Sequence, residues 1–177
     1  MTVDILLLQI GADLLRGLGQ QDPFGLLHDP ALQDLGGVAL ADLNGLLKLY
    51  THLHENPIPA ESDRLFSLWN EIISDNNHHI IVAEENGEIV SSCVCVIVPN
   101  LTHNQQPYAL IENVVTHKNF RGKGYATACL DYAKKIAKNN NCYKLMLMTG
   151  SKQDSTLRFY ERAGYNSTDK TAFVQWI

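Results

Sequence analysis

The run Ala109-Leu110-Ile111-Glu112-Asn113-Val114-Val115 is apolar and rich in β-branched residues, and it leads into Arg121-Gly122-Lys123-Gly124-Tyr125-Ala126. The first stretch reads as a strand. After the glycines, Ala126, Cys129, Leu130, Ala133, Ile136 and Ala137 recur at the spacing of one helix face. A glycine-rich turn that opens a helix points bare backbone N–H groups, and the positive end of the helix dipole, at whatever docks there. The guest such a turn favours is a phosphate or pyrophosphate, and Arg121 and Lys123 add positive charge at the same place. The turn alone does not decide the matter, since Gly-x-Gly also occurs wherever a tight connection needs positive φ. Two known phosphate loops do not match. No Gly-x-x-x-x-Gly-Lys-Ser/Thr string is present, and Gly122 and Gly124 lack the third glycine of the dinucleotide fingerprint. The pyrophosphate of a different cofactor fits better.

A second segment sharpens this reading. The strand-like Tyr143-Lys144-Leu145-Met146-Leu147-Met148 precedes Arg158-Phe159-Tyr160-Glu161-Arg162-Ala163-Gly164-Tyr165, a short helix stopped by Gly164. In these two segments the chain resembles the GNAT superfamily of N-acetyltransferases. That family's cofactor loop, Gln/Arg-x-x-Gly-x-Gly/Ala, is matched by Arg121, Gly124 and Ala126. Its later aromatic-Tyr-Glu-x-x-Gly-aromatic string is matched by Phe159–Tyr165. The two motifs stand in the family's order and spacing, and the resemblance covers about residues 38–177.

Composition is that of a small enzyme domain. The chain has 177 residues, 45% of them hydrophobic, enough for one domain with a real core. A net charge of −5 argues against a nucleic-acid binder with a broad basic face. It suits a cationic amine substrate, though solubility explains it equally. Cys93, Cys95, Cys129 and Cys142 form no Cys-x-x-Cys pair, and no histidine cluster supplies metal-ligand spacing, so no metal is expected. Reduced packing thiols in a cytoplasmic protein are the plain reading. No apolar run reaches the length of a membrane span, and the N-terminus reads as a poor signal peptide.

Along the chain, residues 1–36 are leucine-rich and broken by Gly11, Gly17, Gly19 and Pro23, with no lasting period. They read as a strand, a helical hairpin, a partner-binding arm or, favoured here, an extension outside the domain. The domain is expected over 37–177. Val38-Ala39-Leu40 is its expected first strand, and Asp42 the cap of a helix carrying Leu43, Leu46, Leu47, Tyr50 and Leu53. A second helix shows Leu65, Leu68, Trp69 and Ile72 on one face. Asn86-Gly87 is a hairpin turn between strands at 79–83 and 88–98. The strand at 109–115, the glycine loop, its helix, a further strand, a short helix and a last strand at Phe173–Ile177 follow. The expected fold class is α/β (α+β): a mixed, mostly antiparallel sheet with helices on both faces, in the order βααβββαβαβ.

The resemblance implies an acetyl-CoA-dependent N-acetyltransferase, transferring an acetyl group directly to a primary amine of a small molecule or peptide. It implies that Val114, Val115 and Thr116 pair their backbone with the pantetheine arm, and that Arg121, Gly122, Lys123, Gly124, Tyr125 and Ala126 hold the pyrophosphate. A strand can do this only if its neighbour splays away and leaves peptide groups unpaired. An amine is mostly protonated at neutral pH, so a base must take its proton. Glu112 is the candidate: it lies in an apolar strand, which should raise its pKa, and several members carry a glutamate at this distance from the loop. It reads otherwise as a carboxylate that binds a cationic substrate, or as half of an ion pair. His117 is a second candidate base. Tyr160 matches the family position for the acid that protonates the leaving thiolate, and it also contacts the cofactor; its alternative is a packing aromatic that only hydrogen-bonds the sulfur. Many members carry an Asn seven residues before this Tyr, where Gln153 stands here. Specificity is expected from His52–Glu61 and from the 99–108 loop. The rival reading is a non-catalytic acyl-CoA-binding module working through a protein partner. Neither nucleic acid nor membrane is an expected partner, and a homodimer is left open.

Overall fold

The computed structural model describes residues 4–8, 35–53 and 57–177, with side chains from Asp42 onward. Asn86 and Gly87 take left-handed backbone, φ 56° and 77°, as a tight hairpin requires. They turn β2 (His78–Glu85) into β3 (Glu88–Val98). On these two strands the sheet is built outward. β1 (Asp4–Leu8) pairs antiparallel with β2, β4 (Tyr108–Thr116) pairs antiparallel with β3, and β5 (Leu145–Leu147) pairs parallel with β4. The strand order is β1-β2-β3-β4-β5.

Period-two alternation splits the apolar residues between two cores. Ile81, Ala83, Cys93, Cys95, Ile97, Ala109 and Ile111 pack on one face against α3 (Tyr125–Asn139). Ile80, Val82, Val94 and Val115 pack on the other against α1 (Leu35–Tyr50) and α2 (Asp63–Ser74). The class is therefore the one expected: α/β, mixed and mostly antiparallel, with helices on both faces. Ser62 caps α2, its hydroxyl accepting from the Leu65 N–H at 3.2 Å. The short α4 (Asp154–Arg162) ends at Gly164, φ 91°, with the Tyr165 N–H on the Tyr160 carbonyl and the Gly164 N–H on the Glu161 carbonyl. This paired closure satisfies the last carbonyls of the helix. Cys93, Cys95 and Cys129 are buried and unpaired. Burial pushes the Cys95 thiol up to about 12 and the Cys129 thiol to about 11, so both stay protonated at neutral pH.

The observed order is βααβββαβα, and it corrects the expectation at both ends. Val38–Leu40 is not a strand but part of α1, whose Ala- and Leu-rich sequence continues the helix backward to Leu35. The sheet edge beside β2 is taken by Asp4–Leu8, inside the leucine-rich segment, so no edge was left for Val38–Leu40. Residues 9–34 of that segment lie outside the described residues. Asp42 consequently caps nothing: it is inside α1 and buried, and burial raises its pKa. Phe173–Ile177 is not a strand either: among the described residues it pairs with no strand, and its large side chains stand in solvent. On α2, Trp69 is buried, but Leu68 is 50% exposed and does not belong to the core face.

These differences make a paired test. Leu46→Ala removes a side chain only 2% exposed and should cost about 2–5 kcal/mol in urea unfolding. Leu68→Ala should change stability by no more than about 0.5 kcal/mol. Equal losses would contradict the assignment of the two faces.

Candidate active site

β4 carries the site because its two edges are treated differently. Toward β3 it is paired nearly along its length, from Val98↔Tyr108 to Ser91↔Thr116. Toward β5 it is paired only at Ala109↔Leu145, Leu110↔Met146 and Ile111↔Leu147. Past Ile111 no β5 residue pairs with it, so among the described residues the edge from Glu112 to Thr116 has no strand neighbour on that side. This is the condition a strand must meet to offer its backbone to a ligand. One residue in this stretch breaks the alternation. Asn113 has φ 53°, and Asn113 and Val114 together stand opposite Cys93, because the register steps from Ser92↔Val115 to Val94↔Glu112. The bulge brings Val114 onto the α3 core and leaves Val115 on the α1/α2 core. Side chains also engage the last residues of β4. The Ser91 hydroxyl donates to the Val115 carbonyl at 2.9 Å and lies 2.8 Å from the Thr116 hydroxyl. Arg121 Nε donates to the Thr116 carbonyl at 3.2 Å.

The chain then makes one 3-10 turn, Lys118–Phe120, and enters the glycine loop. Gly122 and Gly124 hold φ 78° and 92°, a region that a side chain would strain. A Cβ at either glycine would meet no atom within 4 Å, so the space above the loop is open. Gly124 is the N-cap of α3 and brings no side chain to its free N–H groups, and the first turn holds no acidic residue. The first-turn N–H groups and the dipole are thus left for an anion. These features fit a pyrophosphate. The charge at the loop is less free than its composition implies. Lys123 Nζ bonds Glu85 at 3.4 Å and lies 4.7 Å above the Phe120 ring. Arg121 leans back on Thr116.

Glu85 is a residue that sequence reasoning missed. Its Oε2 accepts from the Tyr125 hydroxyl at 2.6 Å as well as from Lys123. It therefore ties the first residue of α3 to the end of β2. The Tyr125 hydrogen bond, with Lys123 beside it, holds the Glu85 carboxyl below its usual range, and the same bond raises the Tyr125 phenol. Only a contact spanning 40 residues reveals this, and no local pattern signals it.

The two candidate proton carriers lie on opposite faces of the sheet. Glu112 pairs with Val94, which belongs to the α1/α2 core, so it shares that face. It is half-buried rather than enclosed, and the desolvation expected from its apolar strand is only partial. Tyr160 is half-buried against the α3 core, its ring 5.0 Å from Phe159 and 6.1 Å from Tyr165. Burial, then the neighbouring Cys93, raises its phenol above the usual value. His117 is occupied locally: its Nδ1 accepts from the Asn119 N–H at 3.2 Å, and its ring meets His52 at 4.3 Å. Tyr50, at the end of α1, brings a hydroxyl toward Ser92 and the bulged Asn113, and burial pushes it up to about 12. The sequence marked Tyr50 only as a core aromatic. Gln153 is the exposed N-cap of α4 and makes no side-chain capping bond.

A sheet that opens beside a glycine loop at a helix N-terminus defines an acyl-transfer scaffold, and comparison with known proteins places it. Residues 43–165 match the model of the Acetyltransferase (GNAT) family. The chain belongs to that family; it is an acetyltransferase, and its cosubstrate is acetyl-CoA. A glucosamine 6-phosphate N-acetyltransferase of Trypanosoma brucei brucei is 28% identical over 136 residues, which are 73% of this chain and 86% of that protein. A solved structure from Agrobacterium tumefaciens strain C58, described provisionally as an acetyltransferase, is 36% identical, with TM-score 0.71, over 77% of this chain and 94% of that one. The glucosamine-6-phosphate N-acetyltransferase of Arabidopsis thaliana shares the fold at 22% identity, with TM-score 0.68, over 78% and 94%. No described helix is long and apolar enough to cross a membrane.

The Glu85 tie sets a pH dependence. Its folded pKa lies below the ordinary 4.5, so its contribution is complete above pH 4.5 and is lost as pH falls through the lower folded value. The amides of Gly122–Ala126 should therefore stay well ordered in NMR spectra at neutral pH and broaden in acid. Tyr125→Phe should show the broadening already at neutral pH. A variant loop as ordered as the wild type would show that the tie is idle.

Proposed function

We propose that the protein transfers an acetyl group from acetyl-CoA directly to a primary amine, with Glu112 as the base and Tyr160 as the acid. The observation that carries this reading is the unpaired edge of β4 past Ile111 together with the uncapped N-terminus of α3. Val114, Val115 and Thr116 line the pantetheine arm in this reading. Gly122, Gly124, Tyr125 and Ala126 hold the pyrophosphate through backbone N–H groups, with Arg121 and Lys123 as charge at the rim. Acetyl-CoA supplies the activated thioester carbonyl.

The chain's own groups do the rest. The Glu112 carboxylate, on the α1/α2 face, takes a proton from the acceptor's ammonium, directly or through water, and frees the nitrogen lone pair. The Tyr160 Oη, its pKa raised by burial, holds its proton at neutral pH and can give it to a departing thiolate. No cysteine is needed as a nucleophile, and the raised thiols fit packing. The cytoplasmic 37–177 unit, with Asp4–Leu8 as its edge strand, is the catalytic body. The name of the 28% identical relative makes an amino-sugar phosphate the first acceptor to try, with small amines and peptide amines next. The rival reading, a non-catalytic acyl-CoA-binding module, predicts binding without turnover.

The test is thiol release from acetyl-CoA against glucosamine 6-phosphate and a broad amine panel. Glu112→Gln should lower kcat by about 100-fold or more, and Tyr160→Phe should lower kcat with little change in KM. Full turnover by Glu112→Gln across pH would remove it as the base. Gly124→Glu places a strained side chain and a negative charge at the anion seat, and should weaken acetyl-CoA binding at least tenfold by calorimetry.

A further inference from the structure

Asp42 is 9% exposed, stands inside α1, and its Oδ2 has no hydrogen-bond partner. Nor does it join an ion pair among the described residues. A buried carboxylate oxygen left unpaired costs free energy, so one that persists calls for a partner from outside the fold. Asp42 is not sealed in the core. It lines a cavity of about 460 Å³ between α1 and the β2–β3 hairpin. That volume is in the range of small-molecule sites. Asp42, Gly45 and Leu49 follow one stripe of α1, and His52 continues it just past the helix end, so the cavity runs about 15 Å along the helix. The chemistry of its wall is uneven. Asp42, with Glu84 and Glu88 from the hairpin, brings three carboxylates against the single ammonium of Lys48. Leu49 and Ile89 supply buried apolar surface. At the end away from Asp42, His52 is held below its ordinary pKa by burial, then by His117, Lys118 and Arg121, so it is mostly neutral at pH 7.

We propose that this cavity is a second ligand site that takes a small organic ammonium, with Asp42 accepting from its N–H groups and an aliphatic stem lying along Leu49 and Ile89. The site is separate from the one proposed for acetyl transfer: neither Glu112 nor Tyr160 nor any residue of Gly122–Ala126 lines it. An alkylammonium carries one charge and several N–H donors, so it can pair the orphaned oxygen directly. Out of open water that pair is stronger than its counterpart on an exposed surface. Glu84 and Glu88 add negative potential around the same end of the cavity. An anion would meet these carboxylates. A metal ion fits less well, because the described residues contain no group of three His, Cys, Asp or Glu placed to hold one. The occupant would brace α1, the helix that also brings Tyr50 toward the bulge at Asn113.

The test is a titration of the 177-residue chain with n-butylammonium chloride, followed by the NMR amide shifts of Asp42, Gly45 and Ile89. Saturating shifts with a Kd of about 1 mM are expected, an ordinary strength for so small a ligand. Tetramethylammonium has the charge but no N–H donor, and it should bind at least about tenfold more weakly. Butanol has the stem without the charge and should not saturate. Asp42→Asn keeps the shape and removes the charge, and it should weaken butylammonium at least about tenfold. Glu88 is exposed, so Glu88→Lys keeps the fold and tests the site even if Asp42→Asn does not fold; it should weaken binding at least about threefold. Shifts centred on Glu112–Val115 instead would put the amine in the transfer site and overturn the proposal. So would equal binding of tetramethylammonium or butanol, undiminished binding by either variant, or no saturation at concentrations far above the expected Kd.

Discussion

The architecture of the site depends on β5 parting from β4 after Ile111. Had the parallel ladder continued, the backbone of Glu112–Thr116 would be consumed by the sheet, and Glu112 and Tyr160 would be sealed on opposite faces. The bulge at Asn113 works in the same stretch. It inserts one extra residue opposite Cys93, so Val114 can face the α3 core while Val115 faces the α1/α2 core. One left-handed residue thereby sets which side chain points to which face just where the edge falls open.

Two separate cores hold this opening in place. The α3 core anchors the helix whose uncapped N-terminus is the proposed anion seat, with Tyr125 buried at its first position and tied to Glu85. The α1/α2 core backs the face that carries Glu112. The loop between them uses its positive charges partly for itself. Arg121 closes on Thr116 and Lys123 on Glu85, so the glycine conformation is braced before any ligand arrives. Exposed ion pairs of this kind contribute little to stability, and fixing the loop's direction is the larger effect.

Much of the fold was legible in the sequence where local chemistry agreed with tertiary need. Asn86-Gly87, the α3 stripe from Cys129 to Ala137 and the Gly164 stop each satisfy a local rule, and each stands where that rule put it. Val38–Leu40 went wrong because a short apolar run fits helix or strand equally, and the choice was made by Asp4–Leu8 filling the edge from more than 30 residues away. Phe173–Ile177 has the composition of a strand, but composition does not provide a partner edge. At the candidate site, the glycine loop and the β4 run could be read directly. Glu85 and Tyr50 could not, because their meaning lies in contacts with Tyr125 and with the Ser92–Asn113 neighbourhood, distant in sequence.

The central claim is that acetyl-CoA lies along the open edge of β4 with its pyrophosphate on the first turn of α3. Amide hydrogen exchange with and without acetyl-CoA measures this most directly. The account predicts strong new protection at Val114–Thr116 and at Gly124–Thr127, with the paired β2–β3 hairpin unchanged. Binding of acetyl-CoA that leaves those amides exchanging as in the free protein would contradict it.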